Sequence, residues 1–134
     1  MTITEYGPYD EEEILSLYGD VGWSAYTQDP EALRGGFERS LTVLAARENG
    51  RLAGILRAVG DGHTIVFVQD ILVRPEYQRR GIGSALLRKL LDTWSGVRQI
   101  VLMTDNTPET TAFYRSMGFR ELSEAGCAGF AQFR

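Results

Sequence analysis

The chain is poor in residues that build disulfide and metal sites, and this scarcity excludes several classes of protein. It has one cysteine, Cys127, so no disulfide can form within the chain. Its single histidine and that cysteine fall short of the ligand set of a structural zinc site, so we expect no metal. We expect Cys127 to be a small buried residue, because no histidine partner that would activate it as a nucleophile is evident.

Long apolar runs and positive net charge are also missing. No apolar run approaches the ~20 residues that cross a bilayer, and residues 1–10 lack the basic and apolar regions of a signal peptide. The net charge is −4, which argues against a general nucleic-acid-binding protein because such proteins carry a basic face. We therefore expect a cytoplasmic protein with no membrane or nucleic-acid partner.

Length and composition indicate one globular domain. The chain has 134 residues, of which 43% are hydrophobic and 24% are charged, as is ordinary for a protein with its own core. No repeat, linker or low-complexity tract divides it. We therefore predict a single domain over residues 1–134.

The hydrophobic pattern predicts alternating strands and helices. Asp10 and Asp29 are good N-caps for two helices, and Asn49–Gly50 predicts a tight hairpin turn. The apolar spacing over Ile82–Trp94 indicates a long helix, and Thr107 caps the last one. Strands are predicted at Thr2–Tyr6, Leu41–Arg47, Arg51–Val59, His63–Val73, Val97–Met103, Phe119–Leu122 and Cys127–Phe133. The order β-α-α-β-β-β-α-β-α-β-β indicates an α+β fold with a mixed, mostly antiparallel sheet.

The most informative segment is Gln78–Ser84, which joins the fourth predicted strand to the long helix. The first N–H groups of a helix have no partner within it, and with the helix dipole they favour an anion. Gly81 and Gly83 have no Cβ, so a phosphate can approach the backbone, where successive N–H groups can form an anion nest. Arg79 and Arg80 add charge with a geometry that suits phosphate. The segment therefore predicts a phosphate or pyrophosphate site.

Two segments resemble motifs of the GCN5-related N-acetyltransferase (GNAT) family. The segment Gln78-Arg79-Arg80-Gly81-Ile82-Gly83, preceded by Val73 and Pro75, resembles the acetyl-CoA signature of that family. It is not a P-loop, since no Gly-Lys-Ser/Thr follows, and it lacks the third glycine of the dinucleotide fingerprint. The segment Ala112–Phe119, which contains Tyr114, resembles the family's late helix, which carries a tyrosine and ends in Gly-Phe.

The resemblance implies a fold and an activity. The fold is a three-layer α/β/α arrangement of about six to seven strands and about four helices, in which the fourth and fifth strands splay apart to admit the cofactor. The implied enzyme is an N-acetyltransferase that moves an acetyl group from acetyl-CoA to a primary amine by direct attack in a ternary complex, without a metal. The acceptor can be a small molecule or a peptide. In this family the last strands often support dimer contacts, which leaves a homodimer open.

The resemblance also implies a set of cofactor contacts. Backbone N–H groups over Arg79–Ser84 would hold the pyrophosphate, and the backbone of Ile71–Val73 would pair with the pantetheine arm, because splayed strands leave backbone groups that need partners. Asn106 and Thr110 are further candidates, although each is also explained as a turn or capping residue. The predicted cofactor contacts are Ile71, Leu72, Val73, Gln78, Arg79, Arg80, Gly81, Ile82, Gly83, Ser84, Asn106, Thr110 and Tyr114.

Tyr114 and Asp70 are the predicted catalytic residues. A phenol is protonated at neutral pH, so Tyr114 can donate a proton to the departing thiolate. Gln69 stands where the family often has an acidic residue, and an amide cannot act as a base. Because side chains alternate along a strand, we expect Asp70 to face away from Gln69 and to act through water or a strand irregularity. A structural carboxylate paired with an arginine, with a water chain as the base, is the alternative.

Trp23, Tyr26 and Gln69 are the candidates for acceptor binding. The family forms the acceptor pocket partly from the first two helices and their connection, and aromatic walls suit an apolar or cationic amine. Core packing is the alternative explanation for both aromatic residues.

Two other functions stay open on the sequence. A non-catalytic acyl-CoA-binding sensor or regulatory module is favoured by Gln69 at the usual acidic position, whereas Tyr114 argues against it. A nucleotide-binding module unrelated to CoA would also use the phosphate turn, but it leaves the second motif unexplained and lacks Walker residues.

Overall fold

The computed structural model describes residues 1–134 and has two compact units, Met1–Met103 and Thr104–Arg134. The first unit is built around a five-stranded sheet. The first unit contains β1 (Thr2–Glu5), α1 (Glu11–Asp20), α2 (Ser24–Thr27), α3 (Pro30–Glu38), β2 (Thr42–Glu48), β3 (Arg51–Gly60), β4 (Ile65–Val73), α4 (Ile82–Thr93) and β5 (Gln99–Leu102). The second contains α5 (Pro108–Ser116) and a 3-10 turn at Leu122–Ala125. A further 3-10 turn, Pro75–Tyr77, follows β4. None of the helices is both long and apolar enough to cross a membrane.

The sheet is mixed and mostly antiparallel, as predicted. Its strand order is β1-β2-β3-β4-β5, and only β4 and β5 run parallel. β5 pairs with β4 over Ile65–Val68 alone. The remainder of β4, Gln69–Val73, therefore has no strand on that side, which is the splayed arrangement that the family resemblance implied.

Local sequence signals set the helix starts and the first hairpin. Asp10 accepts a hydrogen bond from the Glu13 N–H at 3.1 Å, and Asp29 accepts one from the Ala32 N–H at 3.2 Å. At the hairpin between β2 and β3, Asn49–Gly50 has φ values of 50° and 81°, as its predicted turn type requires. These predictions are confirmed because each depends only on neighbouring residues.

Helices cover both faces of the sheet. On one face, apolar residues of α1 and α3 pack with Ala45, Ile55 and Leu72, which are cross-strand neighbours. Side chains alternate along a strand, so Leu44 points to the other face. There α4 contacts β2, β3 and β4, and Leu44 and Leu90 line one cavity of about 280 Å³. The layers are therefore α/β/α, as predicted.

The prediction of two final strands is wrong. Leu122–Ala125 is a 3-10 turn closed by a capping box between Glu121 and Glu124, and residues 127–134 pair with no strand. Phe130 and Phe133 are three positions apart, so a strand would place them on opposite faces and give it no single apolar face. Both are exposed, at 95% and 84%. Cys127 is exposed as well, contrary to expectation. At the other end of the chain, a segment without predicted structure holds the four-residue helix α2.

Candidate active site

The turn before α4 forms an open nest of backbone N–H groups. Arg79 and Gly81 have φ values of 65° and 80°, in the left-handed region, and a turn of this conformation makes successive N–H groups converge. The N–H groups of Arg79, Arg80 and Gly81 donate to no other backbone group, and no side chain caps α4. Ile82 is 2% exposed and anchors the helix start in the core. The helix therefore presents its free N–H groups at an exposed turn, where an anion gains most from the dipole.

Gln78 fastens this turn to the end of β4. Its side-chain Nε2 donates to the backbone oxygen of Val73 at 3.0 Å, and its own N–H donates to the oxygen of Pro75 at 3.3 Å. Both groups of Gln78 are therefore engaged within the protein. The first free N–H of the nest belongs to Arg79.

Arginines surround the turn in two different states. The guanidinium of Arg80 lies 5.6 Å from the ring centre of Tyr77, and the guanidinium of Arg51 lies 6.0 Å from the same ring centre. Arg74 is instead 4% exposed, and donates to the oxygen of Leu52 at 2.7 Å. It also donates to Ser16 Oγ at 3.2 Å and forms an ion pair with Asp20 at 3.2 Å. Arg80 is thus available to bind an anion, whereas the side chain of Arg74 is buried and bonded to groups of the protein.

The sheet register decides which backbone groups face the splayed edge of β4. The Arg74 N–H donates to the oxygen of Ala53 at 2.8 Å. Hydrogen-bonded positions alternate in an antiparallel pair, so Leu72 also bonds toward β3. The N–H and C=O groups of Ile71 and Val73 consequently point to the edge that β5 leaves. Of the three predicted backbone contacts, the register therefore favours Ile71 and Val73 over Leu72.

A β-bulge changes the direction of Gln69 and Asp70. Arg57 pairs with Asp70 while the next residue of β3 pairs with Val68, so Gln69 is an extra residue in β4. Gln69 donates from Nε2 to the hydroxyl of Tyr26 at 3.1 Å. Asp70 accepts from the hydroxyl of Tyr18 at 2.7 Å. The Tyr18 and Tyr26 rings are 5.4 Å apart, so the prediction that Gln69 and Asp70 face opposite ways is wrong.

Asp70 belongs to a buried ion pair. It is 1% exposed, and its Oδ2 also accepts from Nε of Arg57 at 2.8 Å, while its Oδ1 has no partner. Burial is the largest single influence on the pKa of Arg57 and lowers it, but the charge and hydrogen bond of Asp70, together with Tyr18, offset burial, and the net shift is upward. Burial, reinforced by the Asp70 charge, raises the pKa of the Tyr18 hydroxyl. Tyr18 therefore remains a neutral donor to the carboxylate.

Sequence reasoning missed Tyr18 and Arg57 as parts of this site. A signal for Arg57 was present, because a charged residue in the middle of a strand that is otherwise apolar needs a buried partner of opposite sign. Nothing local pointed to Tyr18, whose partner Asp70 lies 52 positions away.

The acceptor candidates Trp23 and Tyr26 form a half-exposed aromatic surface. Their rings stack with centres 6.1 Å apart at 29°. Both touch the fully buried Tyr18 edge-on, Trp23 at 6.0 Å and Tyr26 at 5.4 Å. Core packing therefore accounts for one side of these rings and leaves the other side to solvent.

The second unit holds the remaining predicted residues. Burial raises the pKa of Tyr114, and the nearby Thr104 side chain opposes the shift. Thr110 donates to the oxygen of Asp105 at 2.6 Å, so it belongs to the cap of α5. Asn106 is exposed and its side chain makes no hydrogen bond within the chain. No cluster of three or more His, Cys, Asp or Glu side chains is arranged to hold a metal ion.

Comparisons with known proteins agree on one family. The profile of the acetyltransferase (GNAT) domain matches residues 39–121. Histone acetyltransferase TAP1 of Glycine max is 38% identical over 126 residues, which cover 84% of this chain and 53% of that protein. Serotonin N-acetyltransferase 2, chloroplastic, of Oryza sativa subsp. japonica is 35% identical over 116 residues, or 82% of this chain and 56% of that protein. The chain thus spans about half the length of these curated relatives.

A solved structure matches over almost the full length. The GNAT-family acetyltransferase of Streptococcus pneumoniae TIGR4 aligns with a TM-score of 0.89 at 38% identity. The alignment covers 99% of this chain and 97% of that one.

Proposed function

Because the chain belongs to the GNAT acetyltransferase family, we propose that it moves an acetyl group from acetyl-CoA to a primary amine in a ternary complex. The observation that carries the proposal is the open anion nest that begins at Arg79, next to the unpaired edge of β4. These two features suit the two ends of the cofactor arm, a doubly charged pyrophosphate and a chain of amides. We propose that residues 1–134 act as one acetyltransferase domain.

The nest would hold the pyrophosphate through the free N–H groups of Arg79–Ser84. Charge-assisted bonds of this kind are stronger than neutral ones, and Arg80 adds a mobile positive charge. The pantetheine amides would pair with the groups of Ile71 and Val73, extending the sheet as an added strand would. Thr110 and Asn106 remain proposed contacts from the second unit.

The chemistry needs one bond to form and one to break. The amine nitrogen attacks the thioester carbonyl carbon, a C–N bond forms, and the C–S bond breaks as the sulfur leaves. We propose that a backbone N–H near Val73, at the open edge of β4 and not paired with a pantetheine amide, polarises the carbonyl oxygen as negative charge develops there. The departing thiolate takes the proton of the Tyr114 hydroxyl, which burial keeps protonated at neutral pH.

The attacking amine must also lose a proton. Gln69 is an amide and cannot accept it, and Asp70 is shielded from solvent. We propose that the proton passes to water, which Asp70 supports through Oδ1, the one carboxylate oxygen without a partner. Bulk solvent is then the final acceptor, and it returns a proton to the Tyr114 phenolate for the next cycle.

The names of the relatives point to different acceptors, a histone in one case and serotonin in the other. The proposed acceptor is therefore a primary amine on a small molecule or a peptide. A second candidate function is a CoA-binding sensor without catalysis. It is favoured by the absence of a free carboxylate at the bulge, where Asp70 is paired with Arg57.

A thermal-shift titration with acetyl-CoA, followed by thiol release against a mixed amine panel, tests the proposal. A ligand that binds only the folded state stabilises it by about 2.7 kcal/mol at a hundredfold excess over Kd. A shift together with thiol release supports the enzyme. A shift without release from any amine supports the sensor, and no shift rejects both.

A further inference from the structure

We propose that the acceptor is an aromatic primary amine, whose ring lies on Trp23 and Tyr26 and whose nitrogen binds Oε1 of Gln69. This inference rests on the acetyltransferase function proposed above and names the substrate class of the same site. It uses side chains that contact one another within the first unit. Each of the three is partly or fully open to solvent.

The aromatic pair leaves part of its ring surface open to a ligand. Trp23 and Tyr26 stack at 29°, and the buried ring of Tyr18 packs edge-on against both. Helix α2, which carries Tyr26, has no buried residue, so no other part of its unit covers it fully. Ring stacking favours an aromatic partner beyond the area that it buries. A protonated amine on approach gains further from the ring faces.

Gln69 gives this surface a polar end. Its Nε2 donates to the Tyr26 hydroxyl at 3.1 Å, which fixes the amide and leaves Oε1 without a partner in the chain. An acceptor amine donates to a carbonyl oxygen of this kind. The amide lies at the phenol end of Tyr26, so a short carbon linker suffices between a ring on the aromatic pair and a nitrogen on Oε1.

The position of Gln69 in β4 places that nitrogen where acetyl transfer requires it. Gln69 is the first residue of β4 beyond the last pair with β5, Val68 with Leu102. The open-edge groups of Ile71 and Val73, which are proposed to hold the pantetheine arm, follow directly along the same strand. The bulge at Gln69 turns the side chain toward α2 without moving the backbone out of the sheet.

The charges of the surface favour this class over a polyamine or a basic peptide. Trp23, Tyr26 and Gln69 carry no charge. Asp70, which bonds to Tyr18, is paired with Arg57, and the Asp29 carboxylate next to Tyr26 accepts the capping bond of α3. A second cationic group on the acceptor would therefore find no free anion among these residues. An acceptor with a single amine on an apolar ring loses less hydration free energy on binding there than a polyamine or a basic peptide does.

Calorimetry on the wild-type protein with saturating CoA tests the inference without turnover. The probes are phenethylamine, cyclohexylethylamine with the same amine and linker, phenylethanol without the amine, spermidine and a short basic peptide. We expect phenethylamine to bind about three- to tenfold tighter than cyclohexylethylamine, as a stacking contribution predicts, and phenylethanol to bind more weakly than either amine. Equal affinities of the two ring amines, or tighter binding of spermidine or the peptide, overturn the proposal.

Two matched variants locate the site. Trp23→Leu should abolish the preference for the phenyl ring, while Trp94→Leu, which removes the other tryptophan of the chain, should keep it. Both variants are first checked for an unchanged thermal shift with acetyl-CoA, which shows that they fold. A preference that survives Trp23→Leu overturns the assignment.

The thermal shift with acetyl-CoA also distinguishes a failure of the proposed acetyltransferase function from a failure of the proposed acceptor class. If acetyl-CoA gives no shift with the wild type, the acetyltransferase function fails whatever the amines do. If acetyl-CoA binds and phenethylamine does not, only the assignment of the acceptor class fails.

Discussion

Gln78 donates a hydrogen bond from Nε2 to the backbone oxygen of Val73 over 3.0 Å. The bond joins the first residue of the turn that is predicted to bind phosphate to the last residue of β4. The nest that begins at Arg79 and the N–H of Val73 at the open edge are therefore held in one fixed geometry. We therefore propose that Gln78 is a positioning residue for two parts of the proposed cofactor site.

Gln78→Ala should weaken acetyl-CoA binding by up to about tenfold. A typical intramolecular hydrogen bond contributes about 0.5–1.5 kcal/mol, and its loss lets the turn and the strand end move independently. Calorimetric titration with CoA measures the effect. Gln99→Ala is the matched control, since Gln99 is exposed at the start of β5 and its side chain makes no hydrogen bond. Equal Kd values for the two variants would show that Gln78 does not position the turn.

Gly81→Ala should destabilise the fold and weaken CoA binding together. The residue has φ of 80°, which costs an L-residue about 1–2 kcal/mol, although no atom lies within 4 Å of the added Cβ. The cost therefore comes from backbone conformation and not from a clash. Gly96→Ala also meets no atom within 4 Å and lacks a positive φ. Urea unfolding should place the control within about 0.5 kcal/mol of wild type; an equal loss in both variants would contradict the nest geometry.

Local signals in the sequence predicted most of the fold. The N-caps Asp10, Asp29 and Thr107 and the turn Asn49–Gly50 form as expected, because each is decided by residues within one helical turn. The prediction of the final strands was wrong because strand formation does not depend on neighbouring residues alone. A strand forms only with a partner, and Phe130 and Phe133 define no single face that would favour one.

The open turn before α4 was also predictable, because glycines between a strand and a helix indicate such a turn; the anion that it would bind stays a prediction. The acceptor side was only partly predictable. The bulge at Gln69 depends on how β3 and β4 align, and it reversed the expected relation between Gln69 and Asp70. The bond from Tyr18 to Asp70 joins residues 52 positions apart, and no periodicity encodes it.

Asp70→Asn should destabilise the protein by about 3–5 kcal/mol. The variant leaves the Arg57 guanidinium, which has 7% of its side chain exposed, without its ionic partner, and breaking a buried pair on one side costs that much. Urea unfolding measures the loss. Glu38→Gln is the control, because it breaks an exposed ion pair in which Nε of Arg34 lies 2.9 Å from the Glu38 carboxylate. Its loss should cost less than about 0.5 kcal/mol. Similar losses in both variants would rule out a structural role of the Asp70 ion pair.

Tyr114→Phe should lower kcat by about 10²-fold and leave the affinity for CoA unchanged, since general acid catalysis contributes about 10²–10⁴-fold. Burial raises the pKa of Tyr114 above the ordinary value of 10.0, and in the proposed mechanism its protonated form is the active one. As the pH rises, wild-type kcat should therefore stay level through pH ~10 and decline only above the raised pKa. In the variant that decline disappears and the plateau is lower. Tyr9→Phe, which removes another partly buried phenol, should keep the wild-type profile. An unchanged kcat in Tyr114→Phe would exclude Tyr114 as the acid, whereas a Tyr114-dependent decline centred below the ordinary phenol pKa would contradict the raised pKa.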